Sequence, residues 1–482
     1  MRKQLVRYGI AAVSLFALSA AAHAETLREA LAKAYQTNPT LTGARAGQRA
    51  NDENVPINRA RGLPGLDVQG SFTENIKSAS NSFFSPPRQF GARLNLDVPL
   101  YQGGAVKNSV RAADARVDAG QANLRGTEAS LFSAVVGAYM DVLRDQAIVG
   151  LNAKQVSVLQ TNLQATKDRF EVGDLTRTDI AQSESRLALA QSQFEGAEAG
   201  LIGSRERYVQ LVGGAPVGLE QPPALPGLPD SPDLAVEKAL ASNPDLIAAN
   251  KSAQAARYDV GVANAARLPK VSAIANESFS SSLGSLAPAA VAAGARNQST
   301  GTAAGLQFTV PLYQGGAPSA QVRQAKERSG QAIEGVIQAE RSVIAQTRTA
   351  YASWRASNAV IRSSETAVSA ASLALEGVKA ENSVGNRTIL DILNAEQELL
   401  NAQVQLVSAQ RNAYVAGFTL LAAMGKAEAR DLGLDGGALY DPETNYNKVR
   451  NHLIDWGSIP DPKPVATRTV DTPAQTPEIR AK

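Results

Sequence analysis

The sequence contains no cysteine and only two histidines, His23 and His452. Without cysteine the chain forms no disulfide and carries no lipid anchor on a cysteine side chain. Two histidines cannot build a zinc site or a catalytic histidine constellation. The G-x-S-x-G, H-E-x-x-H and P-loop patterns are also missing. We therefore expect no enzymatic activity, no metal site and no cofactor.

Beyond its N-terminus the chain lacks any uninterrupted apolar stretch long enough for a membrane-spanning helix. If it enters a membrane, it has to do so as a closed β-barrel, whose strands satisfy each other's backbone hydrogen bonds. An excess of charge is missing too. The 48 basic residues fall to 45 once the three of the N-terminal segment are set aside, and 45 acidic residues balance them. This balance does not point to a nucleic-acid partner.

The first 24 residues have the order of a secretory signal peptide. Three basic residues lie within the first seven positions, and small and aliphatic residues fill positions 9–22. Residues 22–24 (Ala-His-Ala) then fit an A-x-A cleavage site. We expect cleavage after Ala24, so that the mature, exported chain begins at Glu25.

The rest of the sequence is two copies of one unit. Residues 98–104 (Val-Pro-Leu-Tyr-Gln-Gly-Gly) recur unchanged at residues 310–316, an offset of 212. A Val-Gly pair recurs at the same offset, whereas an Asn-Pro pair near the start of each copy recurs at an offset of 205. The copies therefore differ by seven residues between these motifs, and such an insertion indicates a loop.

Both copies have the same predicted order of helices and strands. A first helix ends at a Leu-Pro step, because proline disfavours helix in the residue before it, and two extended segments follow around a polar loop. A long helix, a Val-Gly turn and a second helix complete the copy. The predicted helices cover residues 27–61, 105–170 and 178–211 in the first copy and 234–267, 317–381 and 388–424 in the second.

Apolar and polar residues alternate in the extended segments. In residues 93–98 and 306–310 this alternation places the two kinds of side chain on opposite faces of a strand. One face would meet lipid and the other water in a barrel wall. A half-buried hairpin of a soluble sheet gives the same pattern, so the alternation leaves both interpretations open.

The long helices carry small residues at coiled-coil spacing. In the second copy this spacing runs from Val322 to Ser353, and a neighbouring stripe contains Ile333, Ile337 and Ile344. Two adjacent stripes let one helix touch two neighbours, as a ring of helices requires, although an ordinary antiparallel coiled coil is a competing interpretation. About 65 residues at ~1.5 Å each span roughly 100 Å, a length that suits a duct across an aqueous compartment.

These features together resemble the TolC family of outer-membrane channel proteins. The resemblance rests on the duplicated motif at 98–104, on the duplicated Asn-Pro pairs and on residues 383–393 (Ser-Val-Gly-Asn-Arg-Thr-Ile-Leu-Asp-Ile-Leu). It covers residues 25–455. Residues 421–426 and 439–443 are similar to the branch of the family that serves type I secretion.

The resemblance implies a fold, a location and partners. The fold is mainly α with a β-barrel: a homotrimer whose chains each give four strands to a twelve-stranded outer-membrane barrel and their helices to a long periplasmic tunnel. The tunnel docks on a periplasmic adaptor and an inner-membrane transporter, and outer-membrane lipid surrounds the barrel. We expect an exit duct for type I protein secretion. A small-molecule efflux channel of the same fold is the alternative, and a soluble periplasmic coiled-coil adaptor is a more distant one.

On this architecture the chain divides into six parts. They are the signal peptide (1–24), the first structural repeat (25–212), a linker in the equatorial region (213–233), the second repeat (234–425), an equatorial C-terminal segment (426–456) and a tail expected to be disordered (457–482).

The resemblance places a pore gate just after the Val-Gly turns. The candidates, carried over by motif position, are Thr178 and Asp179 in the first copy and Arg387, Asp391 and Asn394 in the second. A ring of Asp391 carboxylates, one per subunit, would make the pore negative and bind cations. The candidate adaptor-docking tips are the turns themselves: Val172, Gly173, Val384 and Gly385. The two glycines are expected to supply the positive φ that ends each rising helix.

A structural interpretation of the same residues competes with the gate. Thr176-x-x-Asp179 and Thr388-x-x-Asp391 have the form of capping boxes with Asp in place of Glu. Arg387 and Asp391 would then be a surface i,i+4 pair worth a few tenths of a kcal/mol. Capping is favoured for Asp179, and the resemblance favours a functional role for Arg387 and Asp391.

Two positions depart from the family's efflux representative. Asn394 stands where that protein has an aspartate, and Asn382 where it has a tyrosine. The acidic ring would therefore be single, and we expect a gate with weaker cation block.

Overall fold

A computed structural model describes residues 25–77, 86–434, 439–457 and 460–478 of the chain. The predicted signal peptide, residues 1–24, lies outside this part. In chain order the elements are α1 (Leu27–Thr37), α2 (Pro39–Asp52), α3 (Asn54–Ala60), β1 (Gly65–Glu74), β2 (Arg88–Gln102), α4 (Ala105–Glu171), α5 (Arg177–Val212), α6 (Pro232–Ser242), α7 (Pro244–Ala265), β3 (Lys270–Ser281), α8 (Pro288–Ala292), β4 (Gln298–Thr309), α9 (Ala317–Ser383), α10 (Ile389–Ala423) and α11 (Pro442–Val449).

Each repeat contributes one long helical hairpin. α4 and α9 hold 67 residues each and so extend roughly 100 Å, and α5 and α10 return alongside them. The ends of these four helices lie within two residues of the predicted ones. Among the described residues, no helix combines the length and the apolar character needed to cross a membrane.

The first helix predicted in each copy is interrupted at its Asn-Pro pair. Asn38 ends α1 and caps α2, whose first residue is Pro39, and Asn243 has the same place between α6 and α7. Proline lacks the N–H that a continuous helix needs at this point. The continuous helices predicted over 27–61 and 234–267 were therefore wrong.

Both asparagines also tie their repeat to its returning helix. The Oδ1 of each accepts a hydrogen bond from the N–H two residues further on, at 2.9 Å. The Nδ2 of Asn38 donates to the carbonyl of Leu211 at the end of α5, and that of Asn243 donates to the carbonyl of Ala423 at the end of α10, both at 2.9 Å. Both side chains are buried, so these bonds satisfy groups that water does not reach.

The four strands form one antiparallel sheet in the order β1-β2-β3-β4. β1–β2 and β3–β4 are the hairpins of the two repeats, and the pairing of β2 with β3 joins them. A bulge between Pro99 and Tyr101 interrupts that central pairing just before α4. β1 and β4 are the edges of the sheet and are exposed along their whole length in the single chain.

The two faces of the β1–β2 hairpin differ in polarity, as the alternation predicted for residues 93–98. Directly opposite residues share a face, and the pairs Val68↔Leu94 and Phe72↔Phe90 form an apolar ladder across β1 and β2. On the other face the Asp67 carboxylate accepts hydrogen bonds from two side-chain amides, at 2.9 and 3.1 Å. This hairpin therefore has one face that suits an apolar surrounding and one that suits a polar surrounding.

The main hydrophobic core lies halfway along the long helices. Its largest fully buried side chains are Phe132 and Tyr139 of α4, Tyr208 of α5, Leu41 of α2 and Phe418 of α10. Leu219 of the linker, and Ala427, Ala429 and Leu434 of the C-terminal segment, pack into the same cluster. We call this cluster the equatorial core, because it joins the helices to both segments predicted to form the equatorial region.

The described part of the tail, residues 460–478, contains neither helix nor strand and lies against α5. The N–H of Gln475 donates to the Glu206 carboxylate at 3.0 Å, and the Arg205 guanidinium donates to the Glu478 carbonyl at 3.1 Å. The disorder predicted for residues 457–482 stays a prediction, since these contacts give a position of the tail and not its motion.

Replacing either capping asparagine should destabilise the fold. We expect Asn38→Ala and Asn243→Ala each to lower the free energy of unfolding by about 1–3 kcal/mol, because a helix cap is lost and a buried carbonyl loses its donor. Urea unfolding of the detergent-purified protein, followed by circular dichroism, measures this change.

The matched control is Asn358→Ala. The Asn358 amide donates to the Trp354 carbonyl inside α9 at 2.9 Å and caps no helix, and alanine is favoured in a helix interior. Its cost should stay under about 0.5 kcal/mol. Equal losses for all three variants would contradict the role of the Asn-Pro pairs.

Candidate functional site at the hairpin tips

The two hairpins end in turns of the same geometry. The N–H of the glycine in each turn donates back into the last turn of the rising helix, and Gly173 and Gly385 have φ values of 83° and 84°. This confirms the predicted positive φ, which only glycine adopts without strain. The valines before them, Val172 and Val384, are 80% and 70% exposed. Each tip therefore presents an apolar side chain to solvent.

Capping boxes open both returning helices. Asp179 Oδ2 accepts hydrogen bonds from the N–H and the hydroxyl of Thr176 at 2.8 and 2.7 Å. Asp391 makes the same bonds to Thr388 at 3.0 and 2.8 Å. The capping interpretation of both threonine–aspartate pairs is confirmed within the chain. Thr178 follows in the first turn of α5 and is exposed.

The capping bonds fix the charge state of both aspartates. Hydrogen bonds from Thr176 and Thr388 lower the pKa of Asp179 and Asp391. A carboxyl whose pKa is lower in the folded state stabilises that state above its unfolded pKa, and the contribution is lost as pH falls through the folded pKa. Both carboxylates are therefore charged at neutral pH, and the caps weaken only on acidification.

Arg387 does not form the predicted pair with Asp391. Its Nε lies 2.6 Å from Oε2 of Glu381, in the last turn of α9. This bond, and then the charges of Glu381 and Asp391, raise the pKa of Arg387. The Asn382 amide donates to the Arg387 carbonyl at 2.7 Å. The residue that departs from the family pattern at 382 thus supports the turn in which Arg387 stands.

Asn394 connects the two hairpins. Its Oδ1 accepts a hydrogen bond from Nη2 of Arg186 on α5 at 2.7 Å. A small apolar cluster of Leu159, Ala190 and Leu393 lies beside this bond and joins α4, α5 and α10. The tips of the first and second repeats are therefore held together both by packing and by a charged hydrogen bond.

The sequence reasoning missed Glu396, a carboxylate that is only 3% exposed. The Asn162 amide of α4 donates to its Oε2 at 3.1 Å, and the Lys379 ammonium of α9 lies 3.1 Å from its Oε1. Glu396 thus bridges three helices. Its spacing from Leu393 and Leu400, three and four residues away, could have placed it on the buried face of α10.

The internal repeat supplies a natural reference for this ion pair. Lys167 and Glu184 stand 212 residues before Lys379 and Glu396 and form the same pair at 3.2 Å between α4 and α5. The Glu184 side chain, however, is 53% exposed against 3% for Glu396, whereas the two lysines are similar at 44% and 49%. The carboxylate is therefore buried in one lysine–glutamate pair and exposed in its counterpart.

The chain belongs to the outer membrane efflux protein family, whose model matches residues 30–214 and 235–426. The two matched stretches correspond to the two structural repeats. The resemblance to the TolC family is thereby confirmed: the chain is an outer-membrane channel protein with a long periplasmic helical portion.

Curated relatives match along nearly the whole chain. The outer membrane efflux protein BepC of Brucella suis biovar 1 is 34% identical over 93% of this chain and 96% of its own length. The outer membrane protein TolC of Vibrio cholerae is 27% identical over 90% and 97%. The alkaline protease secretion protein AprF of Pseudomonas aeruginosa is 27% identical over 85% and 86%.

The fold is that of solved outer-membrane channels. The Campylobacter jejuni CmeC outer membrane channel superposes with a TM-score of 0.73 over 89% of this chain and 90% of its own, at 18% identity. This likeness confirms the predicted TolC-like architecture of a strand sheet continued by long helices.

Removing the lysine that pairs with the buried Glu396 carboxylate should cost more than removing its counterpart, Lys167. We expect Lys379→Met to lower the free energy of unfolding by about 1–3 kcal/mol, because a buried carboxylate then keeps only one neutral donor. Lys167→Met should change it by less than about 1 kcal/mol, since that pair is exposed. Urea unfolding measures both, and equal effects would mean that the repeat interface does not depend on Glu396.

Proposed function

We propose that the chain works as a homotrimer and forms the outer-membrane exit duct of a three-part export machine. Three four-stranded sheets would close into one twelve-stranded barrel, and the helical hairpins would continue it as a periplasmic tunnel. Substrate would leave a periplasmic adaptor and an inner-membrane transporter and pass through without chemical change. The chain would then act as a channel and not as an enzyme.

The observation that carries this proposal is the unpartnered side of α9. Several residues of the predicted small-residue stripe are buried within the chain, among them Val322, Val343 and Ala350. The neighbouring stripe stays accessible in the single chain, including Ile333 and Ile337. Apolar side chains at coiled-coil spacing favour contact with a further helix, and another copy of the chain supplies one.

The exposed edges of the sheet support the same assembly. β1 and β4 present unpaired backbone groups along their outer edges, and such edges pair readily with another strand. Pairing β4 of one chain with β1 of the next, repeated until the sheet closes, satisfies them all. A soluble periplasmic coiled-coil adaptor, the more distant alternative, offers no use for this sheet and does not fit a family of outer-membrane channels.

Partner docking would occur at the tips. The turns at Val172-Gly173 and Val384-Gly385 are the most remote points of the hairpins from the sheet, and each presents an exposed valine beside a glycine. These features suit an adaptor that makes small apolar contacts at the end of the tunnel. The inner-membrane transporter would act behind that adaptor.

The gate would lie one helical turn further in. Asp391 and Asn394 stand in the first two turns of α10 and Arg387 in the turn just before it, with Thr178 and Asp179 in the first turn of α5. A ring of three Asp391 carboxylates would attract cations to the entrance. Asn394 is uncharged, and its side-chain oxygen accepts a hydrogen bond from Arg186 of the same chain. This supports a ring in which Asp391 is the one acidic position that each subunit contributes.

Two export routes fit this architecture. AprF is named for secretion of an alkaline protease, and BepC is named as an efflux protein. We propose type I protein secretion, on the similarity of residues 421–426 and 439–443 to that branch. Small-molecule efflux is the second candidate, supported by the higher identity to BepC.

Single-channel recording in planar bilayers tests the duct and the role of Arg387. We expect a small wild-type conductance that increases several-fold in Arg387→Ala, because the pairs that hold the tip turns are lost. Glu381→Gln is the matched control, since it removes the partner within the chain and keeps the arginine. A conductance that increases in Arg387→Ala alone indicates that Arg387 closes the pore through a bond to another subunit. An equal increase in both variants indicates that the Arg387–Glu381 pair within the turn keeps it closed. Folded protein without any conductance would overturn the proposal of a duct.

Ion selectivity tests the acidic ring. Asp391→Asn keeps an oxygen for the helix cap and removes the charge, so we expect the preference for cations over anions to fall toward unity. Asp179→Asn makes the same change in the equivalent capping box of the first repeat. Reversal potentials in a salt gradient measure both. Unchanged selectivity in Asp391→Asn would mean that Asp391 serves only as a helix cap.

A further inference from the structure

Glu25, the residue after the predicted cleavage site, is buried although it is charged. It is 4% exposed. Its backbone nitrogen donates to the Val217 carbonyl at 3.0 Å, and its carbonyl accepts from the Glu220 N–H at 3.2 Å. The residue therefore pairs through its main chain with the linker between the two repeats.

Side chains from three helices enclose this position. The Tyr139 hydroxyl of α4 lies 2.8 Å from the Glu25 carbonyl oxygen and 2.6 Å from that of Glu220. The Lys33 ammonium of α1 lies 2.6 Å from Glu25 Oε1. Tyr208 of α5 packs beside Tyr139, and burial, with the Glu25 carboxylate next, raises the pKa of its hydroxyl.

The carboxylate of Glu25 also turns toward the linker. Its Oε2 lies 3.4 Å from the N–H of Val217, the residue whose carbonyl accepts from the Glu25 nitrogen. The Val217 carbonyl therefore accepts from that nitrogen, and the carboxylate that faces the same linker residue belongs to the residue that carries the nitrogen. A negative charge beside a nitrogen suits an ammonium better than a neutral amide.

Cleavage after Ala24 would make this nitrogen an ammonium. Water adds across the Ala24–Glu25 peptide bond, Ala24 keeps the new carboxylate, and Glu25 gains a charged α-amino group with three N–H donors in place of one. A buried ammonium is costly unless acceptors and opposite charge surround it. The Val217 carbonyl is such an acceptor, and the Glu25 carboxylate, which also pairs with Lys33, supplies the opposite charge.

We propose that the linker at residues 217–220, with Tyr139 and Lys33, is a built-in binding site for the α-amino terminus of the chain itself, occupied when the signal peptide has been removed. Its ligand is an N-terminal glutamate, whose ammonium, carboxylate and carbonyl each have a separate partner. Because Leu219 of the linker packs into the equatorial core, occupation of this site also fixes the joint between the two repeats. The proposal rests on the predicted cleavage and not on the export route.

Amine labelling of the purified, folded protein tests the site. Acetylation with a water-soluble amine reagent, read by mass spectrometry of the N-terminal peptide, should modify Glu25 at least about tenfold more slowly in the folded protein than in urea. The exposed Lys154 side chain serves as the internal reference, and its labelling should differ by less than about threefold.

A tyrosine pair supplies the matched variants. Tyr139→Phe removes the hydroxyl at the Glu25 carbonyl and should speed labelling of the α-amine several-fold, whereas Tyr414→Phe, in the same core, should not. An N-terminal peptide that begins at another residue overturns the proposal, as does equal labelling of Glu25 in folded and unfolded protein. The wild-type comparison decides even if Tyr139→Phe does not fold. The labelling result does not depend on channel conductance, so the proposed duct and this terminal site can fail separately.

Discussion

Two helices of 67 residues are too long to be buried against one compact core. The main core occupies only their middle, where the linker and the C-terminal segment wrap around them. Above and below that level the helices are held by small clusters and single polar contacts. This limit on what one chain can bury determines the thin seams, the small residues along them and the apolar stripe left on α9.

The duplication shows how one local design behaves in two environments. Both returning helices begin with the same threonine–aspartate cap, and both hairpins carry the same lysine–glutamate pair. Local chemistry is therefore shared between the repeats. What differs is the burial of the carboxylate: Asn162 of α4 donates to Glu396, which is 3% exposed, whereas Glu184 is 53% exposed. For these shared motifs, position in the fold, more than residue type, distinguishes the two hairpins.

Local signals made the secondary structure predictable. The long helices and the strands follow from hydrophobic spacing and from the Val-Gly and Gly-Gly turns, which act over a few residues. The break at Asn38-Pro39 could also have been predicted, since an Asn-Pro pair is both a cap and a stop.

Tertiary partners were harder to predict than local ones. The capping role of Asp179 and Asp391 depends on residues three positions away, and the sequence contains it. Two contacts depend instead on how two helices approach each other. Arg387 pairs with Glu381 and not with Asp391, and Asn394 accepts a hydrogen bond from Arg186. No periodicity in one helix specifies such an approach.

The apolar cluster that joins the tips within a chain has a consequence for how the tunnel can move. Leu159, Ala190 and Leu393 make that joint, and the positions 212 residues away carry Ala371, Ala402 and Ala181. In the proposed ring, joints within subunits would alternate with joints between subunits, and the second kind would have alanine where the first has leucine. The tunnel wall would then be stiffer within each subunit than between subunits. When the tunnel end widens, three slits would open first, each between the hairpin pairs of neighbouring subunits.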